Sequence, residues 1–319
     1  MRDPAHALAD KELEEIEKRI EEIFKRANKE IEAKASKYFK RFSDLDKKKR
    51  ALVESGDMTE AAYKKWKQGK IMTGKHWETL KKQTAESIHK ANVIATDYAN
   101  GRLPGVYASN YNQVAAGLNR QVRGVSFELV NQQTVRNLAT KDKTLLPYKT
   151  VNGVKDVRWN TKKVNSEILQ GILQGDSVAD LSKRLRKVTE MNRASSVRNA
   201  RTAVTSAENK GRIDMLHDAE DAGVRTKKVW LSVQDGRTRD SHLALSGMEA
   251  DPDEPFEIWG MKIMYPGDPE ADPEMVYNCR CTMTYRVVGF GRVQVHGKEK
   301  ERAMLQMTSS GQAVMTRGR

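Results

Sequence analysis

Apolar residues in the first forty positions recur at steps of three and four. Leu13, Ile16, Ile20, Ile23, Phe24, Ala27, Ile31, Ala35, Tyr38, Phe39 and Phe42 form one stripe, and Glu and Lys fill the opposite face. That spacing predicts a long amphipathic helix over residues 8–42. Such a helix cannot bury its stripe alone, so it must pack on another helix or on a partner chain. Similar patterns predict helices over 58–70, with Tyr63 and Trp66, and over 73–99, with Trp77, Leu80, Ile88, Val93 and Tyr98. Gly101 reads as a stop, and Gly-Arg-Leu-Pro-Gly at 101–105 as a break. Residues 106–140 look helical again, with weaker periodicity.

From Leu145 to Trp159, turn and β-branched residues suggest a loop or a small hairpin about Asn152-Gly153. Two more helices follow over about 161–222, separated at Gly175-Asp176-Ser177, where Ser177 and Asp180 have capping-box spacing. Gly223 is the expected stop. The pattern then changes to strands at 227–233 and 280–289 and a hairpin from Phe256 to Tyr265 about Gly260. The expected fold is mainly α with a small α+β C-terminal module and long N-terminal amphipathic helices. The segments expected are a helical region over 1–144, a second helical block over 145–226, a small α+β module over 227–290 packed on the 190–222 helix, and a basic, disordered tail over 291–319.

Charge adds an asymmetry. The 319-residue chain carries a net +14, yet Asp235 to Glu274 holds 11 acidic and 3 basic residues, a net of −8. The rest therefore carries +22. That balance suits an anionic partner such as DNA, and equally a solvated, lysine-rich helical surface. Basic runs such as Lys47-Lys48-Lys49-Arg50 and Lys183-Arg184-Leu185-Arg186 occur without a zinc-finger, RNA-recognition or clear helix-turn-helix pattern. Any DNA contact should thus be to phosphate and independent of sequence. No run approaches the roughly 20 apolar residues that span a bilayer, and the N-terminus lacks a signal-peptide core. With Cys279 and Cys281 the only cysteines, a disulfide-stapled secreted domain is excluded, and thiols made in a reducing cytoplasm are expected.

Those thiols flank Arg280 and can both reach one metal. A tetrahedral zinc site needs two more ligands. His242 is the candidate third, and Asp235 or Asp240 the fourth. The alternative is that the cysteines are small buried residues of a terminal strand and His242 a hydrogen-bonded helix residue. Asp235-Gly236 suits a tight turn, with Asp235 accepting from backbone amides or an arginine. Arg201, Thr205, Glu208 and Arg212 share one helix face and form a polar seam expected to dock on the 235–242 segment. The acidic loops about Asp251 and Asp268 lack the twelve-residue calcium-loop pattern and read as solvated. No nucleophile, base and anion pocket assemble into an enzyme site.

Three segments stand in one order: Asn199-Ala200-Arg201-Thr202; Trp230 through His242, with Asp235, Arg237 and Arg239, followed by Gly247; and Tyr265-Pro266-Gly267-Asp268 with Asn278-Cys279-Arg280-Cys281. Together they resemble the C-terminal domain of the phage minor head, or head-morphogenesis, family of the Mu F-like type, over about residues 160–290. The resemblance implies a low-copy or multicopy capsid protein, not an enzyme. It implies a place in the virion, inside the head near the portal, after assembly in the host cytoplasm. Its implied partners are the portal, the major capsid or scaffold proteins, and packaged DNA met through non-specific phosphate contacts, with no membrane. The resemblance also implies a metal site. In relatives the stretch matching Arg239 to His242 reads Cys-x-x-Cys, and a His precedes the C-x-C. Here Arg239 stands in place of a Cys and the His position is unfilled. Some relatives carry a further toxin domain after this module, and the 38 residues beyond Cys281 are too few for one. A metal-dependent hydrolase using Cys279, Cys281 and His242, and a DNA-binding accessory protein unconnected with capsids, are the competing readings.

Overall fold

The computed structural model describes residues 4–291. The tail expected over 291–319 lies outside the described residues from position 292 onward. The fold is mainly α, with a small antiparallel-sheet module near its C-terminal end. Three long helices dominate: α1 (Pro4–Glu54), α3 (Lys75–Gln121) and α6 (Val178–Asp221). Shorter helices α2 (Glu60–Ile71), α4 (Gln132–Lys141) and α5 (Gly153–Leu173) lie between them in the chain. The chain divides into two compact units. Among the described residues, one unit takes 4–13, 101–148 and 201–291; the other takes 14–100 and 149–200. Helices α1, α3 and α6 each contribute to both.

The second unit explains the N-terminal stripe. Ile31, Ala35, Tyr38 and Phe39 of α1 pack with Trp77, Leu80 and Ile88 of α3, Val164, Ile168 and Ile172 of α5, and Leu181, Leu185 and Val188 of α6. The stripe is therefore buried within the chain. Between α5 and α6, Ser177 Oγ accepts from Asp180 N at 3.1 Å and donates to the Asp180 carboxylate at 2.6 Å. One arm of the expected capping box is thus present. In the other, Asp180 takes the hydroxyl proton of Ser177 instead of its backbone N–H.

Three sequence expectations fail here for identifiable reasons. Residues 101–105 do not break the helix: α3 runs through them with Pro104 inside. An internal proline costs about 3 kcal/mol. Leu103, Val106 and Tyr107, all at most 5% exposed, offset it with about 2 kcal/mol of burial apiece. The helix ends at Gln121, and Gly124 (φ 88°) leads into an extended stretch where helix was expected. Asn119 brackets Phe127 and Asn112 brackets Val130, each bonding both backbone N–H and C=O at 2.8–2.9 Å. Nor is there a hairpin at Asn152-Gly153. Asn152 caps α5, its side chain accepting from Lys155 N at 3.0 Å; an Asn-Gly pair serves a helix start as well as a turn.

In the first unit, α6 ends at Asp221, and Gly223 (φ 82°) turns the chain into β1 (Val224–Leu231). The sheet order is β2 (Glu249–Ala250), β1, β5 (Thr282–Phe290), all antiparallel. Strands β3 (Phe256–Ile258) and β4 (Met261–Ile263) form the separate hairpin about Gly260. Short helices α7 (Asp240–Leu245) and α8 (Pro273–Val276) complete the module. Trp230, Leu245, Phe256, Ile263, Met275, Cys279 and Cys281 form its core. Every second residue of β1 faces inward, including Lys228, which is fully buried. Lys228 Nζ donates to the carbonyls of Pro252 at 3.1 Å and Met264 at 2.8 Å and lies over the Phe256 ring.

Candidate functional site

The polar face of α6 is expected from sequence to dock on residues 235–242. It docks on the segment leading into β5, the short stretch that carries both cysteines. Arg201 Nη1 donates to Asn278 Oδ1 at 2.7 Å, and Thr202 Oγ1 accepts from Asn278 N at 2.9 Å. Thr205 Oγ1 donates to Cys279 O at 2.8 Å, and Thr282 Oγ1 donates to Glu208 at 2.6 Å. Asn209 accepts from Met283 N at 3.0 Å and donates to Cys281 O at 3.4 Å; Arg212 donates to Met283 O at 2.6 Å. A segment of backbone entering a sheet edge has no second strand to satisfy it. Here one helix face supplies the missing donors and acceptors. The seam is carried by Asn209 as much as by the four residues read from the sequence. Asn209 lies four residues after Thr205, so a wider helical face would have found it.

The loop bearing Tyr265, Pro266, Gly267 and Asp268 meets the same helix. Gly267 has φ 83°, and a Cβ there would come within 2.8 Å of Ser206 N. Only glycine permits both the conformation and the approach. Asp268, 5% exposed, ties the turn by accepting from Met264 N at 3.1 Å and Glu270 N at 3.0 Å. Gly247 (φ 85°) plays a comparable part, donating to Trp230 O at 2.8 Å.

Packing then brings the C-x-C to α7. His242 Nδ1 lies 3.5 Å from Cys279 Sγ and 3.4 Å from Cys281 Sγ, and all three residues are buried. Their three ligand atoms lie within 4.8 Å of one another. Trp230 stands edge-on to the imidazole, with ring centroids 5.5 Å apart and planes at 80°. Cys279 Sγ also accepts from Cys281 N at 3.3 Å. Hydrogen bonding to Cys281 and burial push the Cys279 thiol up, while the same bond and His242 pull Cys281 down.

Of the four ligands read from sequence, the structure unites three. Asp235 is engaged elsewhere: Arg280 grips it through two bonds of 2.7 and 2.6 Å, and Asp235 Oδ1 accepts from Arg237 N at 3.0 Å. The Arg280 guanidinium holds the Asp235 carboxyl well below its usual range. Asp240, the other candidate, opens α7 and is exposed. Arg239 donates to Tyr277 O at 2.5 Å, and Arg237 is exposed near Asp235. The donor set nevertheless fits a borderline-soft divalent ion. Tetrahedral zinc, with bonds of about 2.0 Å to nitrogen and 2.3 Å to sulfur, sets N and S about 3.5 Å apart. The two N···S distances match that spacing. Three donors leave a fourth position without a protein ligand among the described residues. Among the described residues the buried His242 Nε2 has no hydrogen-bond partner, whereas a ligating imidazole usually donates from its second nitrogen.

Comparison with known proteins meets this geometry on the same residues. The minor head protein of Bacillus phage SPP1 is 25% identical over 286 residues, covering 86% of this chain and 83% of that protein. An NAD(+)–arginine ADP-ribosyltransferase of Enterococcus faecalis is 32% identical over 121 residues, 38% of this chain. The chain spans only a quarter of that enzyme's length (25%). No solved structure matches. The family described as Phage Mu protein F like protein matches residues 162–284, the stretch that holds α6, the Asp235 turn and the paired thiols. The resemblance read from sequence is thereby borne out: over residues 162–284 this chain matches the family of Phage Mu protein F like proteins.

Proposed function

We propose that this chain is a minor capsid protein that assists head assembly in a tailed bacteriophage. The observation that carries the reading is the near full-length similarity to a phage minor head protein. The geometry favours structural use of the module. His242, Cys279 and Cys281 are each at most 2% exposed, and a catalytic trio must admit a substrate. In this reading the trio holds a structural ion, such as zinc, that joins α7 to the start of β5. The helical arms and basic surface meet the portal, the capsid or scaffold proteins, and the phosphates of packaged DNA. The protein then resides inside the virion in few copies.

The test is to fractionate procapsids and mature particles from infected cells and quantify this chain against the major capsid protein. Co-sedimentation at low copy number is expected. Recovery only as free protein, never with purified particles, refutes the assignment. No helix among the described residues is long and apolar enough to cross a membrane.

A further inference from the structure

The outer face of α1 changes sign along its length. Its exposed positions from 14 to 22 are Glu14, Glu15, Lys18, Glu21 and Glu22, four acids to one cation. From 25 to 48 it has thirteen exposed positions, of which eight are Lys or Arg and two are acidic. The cations stand in three groups. Lys25, Arg26 and Lys29 come first, and Lys37, Lys40 and Arg41 follow about 19 Å further along the axis. Lys47 and Lys48 lie about another 12 Å on. At about 100° per residue all eight fall within an arc of about 160°, so they form one ridge about 35 Å long.

The ridge is not neutralised from within the fold. None of the eight has an ion pair or a side-chain hydrogen bond among the described residues. Of the two acids, Glu30 is held by Lys34 at 2.6 Å and Ser87 at 3.3 Å and also feels Lys90. Asp44 stands within about one turn of four of the cations. Other surface cations of the same unit do meet acids: Arg19 reaches Glu22 at 2.8 Å and Lys183 reaches Asp180 at 2.9 Å. Like charges three or four residues apart, as in Lys25 with Lys29 and Lys37 with Arg41, weaken a helix. A bound polyanion removes that repulsion.

The make-up of the ridge selects the polyanion. Six of its eight cations are lysines, which the buried centres of protein interfaces exclude. Its exposed apolar positions are Ala33 and Leu45 alone, too few to anchor a protein partner or to enter a lipid surface. It exposes no aromatic ring on which the bases of a single strand would stack. Lysine suits phosphate as a point charge, and duplex DNA carries about one charge per 1.7 Å of its axis. The ridge is about as long as one turn of that duplex.

We propose that the outer face of α1 from Lys25 to Lys48 is the surface on which this chain holds duplex DNA, by its phosphates and without reading its bases. The inference rests on the head-assembly reading for the DNA being packaged DNA. It is tested on purified protein, so a failure here and a failure of the particle assay are distinct results.

Fluorescence anisotropy of two labelled duplexes of unrelated sequence, titrated with the full-length chain across a salt series, tests it. The ridge variant is Lys37→Gln, Lys40→Gln and Arg41→Gln. The control is Lys155→Gln, Arg158→Gln and Lys162→Gln, three exposed cations of α5 in the same unit with the same charge change. Wild type should bind both duplexes alike, with log K falling against log salt at a slope of about −4 to −5, for about five phosphates. The ridge variant should bind at least about tenfold more weakly at about 0.1 M salt, with a slope shallower by about 2 to 3. The control should stay within about threefold of wild type, and the ridge variant should melt no lower than wild type because a repulsion is gone. Absence of binding at about 0.05 M salt overturns the proposal, as does undiminished binding by the ridge variant. Equal weakening by both variants overturns it by making the attraction diffuse, and a lower melting point of the ridge variant by making these cations part of the fold. Polyglutamate that displaces the duplex at equal charge concentration would make the ridge a seat for an acidic protein segment, and so refute the assignment to DNA.

Discussion

Replacing Asn209 with alanine isolates the helix face that holds the cysteine segment. Asn209 is fully buried, and its side chain serves Met283 N at 3.0 Å and Cys281 O at 3.4 Å. The substitution strips both backbone groups of their partner and leaves no room for bulk water. A buried unpaired group costs about 1–3 kcal/mol. The longer Cys281 bond belongs at the low end of that range and the Met283 bond near its middle. The total is about 3 kcal/mol, or about a hundredfold in an opening equilibrium. Amide hydrogen exchange is the suitable assay, since a chain of two units need not unfold in one step. The Met283 amide should lose about a hundredfold of protection. Asn137→Ala, on the exposed face of α4, should change it by less than about twofold. Protection at Met283 within about threefold of wild type after Asn209→Ala would falsify the claim that α6 acts as the missing neighbour of the β5 lead-in.

Three further outcomes are expected. Gly267→Ala combines a positive φ with a Cβ placed 2.8 Å from Ser206 N, and should lower stability by about 2 kcal/mol or more; a thermal midpoint within about 1 °C of wild type rejects this. Burial pushes Lys228 down to about 8, against the pull of Asp253, Asp268, Glu254 and Asp251. Between that pH and about 10.5 the unfolded chain binds a proton that the folded chain lacks, so stability rises with pH across the window. In urea unfolding, the difference between wild type and Lys228→Met should move in favour of wild type from about pH 7.5 to about pH 10, and a constant difference contradicts it. Metal analysis should find about one divalent ion per chain, lost in Cys281→Ser and in His242→Ala but kept in Asp235→Ala. Loss in Asp235→Ala would place that carboxylate at the ion, against its two bonds to Arg280.

Much of this molecule was legible in its residues because much of it is local. The three- and four-residue spacing from Ile16 to Phe39 marks the buried face of α1 whatever packs on it. Gly223 and Gly260 mark a helix stop and a hairpin turn because few residues tolerate positive φ. The ordered set of Arg201, Asp235 and the C-x-C pointed, before any coordinates, to the family whose model matches residues 162–284. Local rules misled where a local cost was repaid at a distance. Pro104 and Gly101 look like breakers, yet the helix continues because Leu103 and Val106 are buried. Asn152-Gly153 has the chemistry of a turn and of a helix start, and only the packing of α5 chooses between them.

By itself, then, the sequence determined the helical class, the place of several elements, the −8 to +22 division of charge, and which residue types stood ready for a metal. Tertiary structure alone decided which of them meet. It drew His242 to both thiols and gave Asp235 to Arg280, and it turned the seam of α6 toward residues 278–283. Periodicity follows from the geometry of one element. The pairing of a buried donor with its acceptor depends on two elements whose separation along the chain carries no trace of their distance in space.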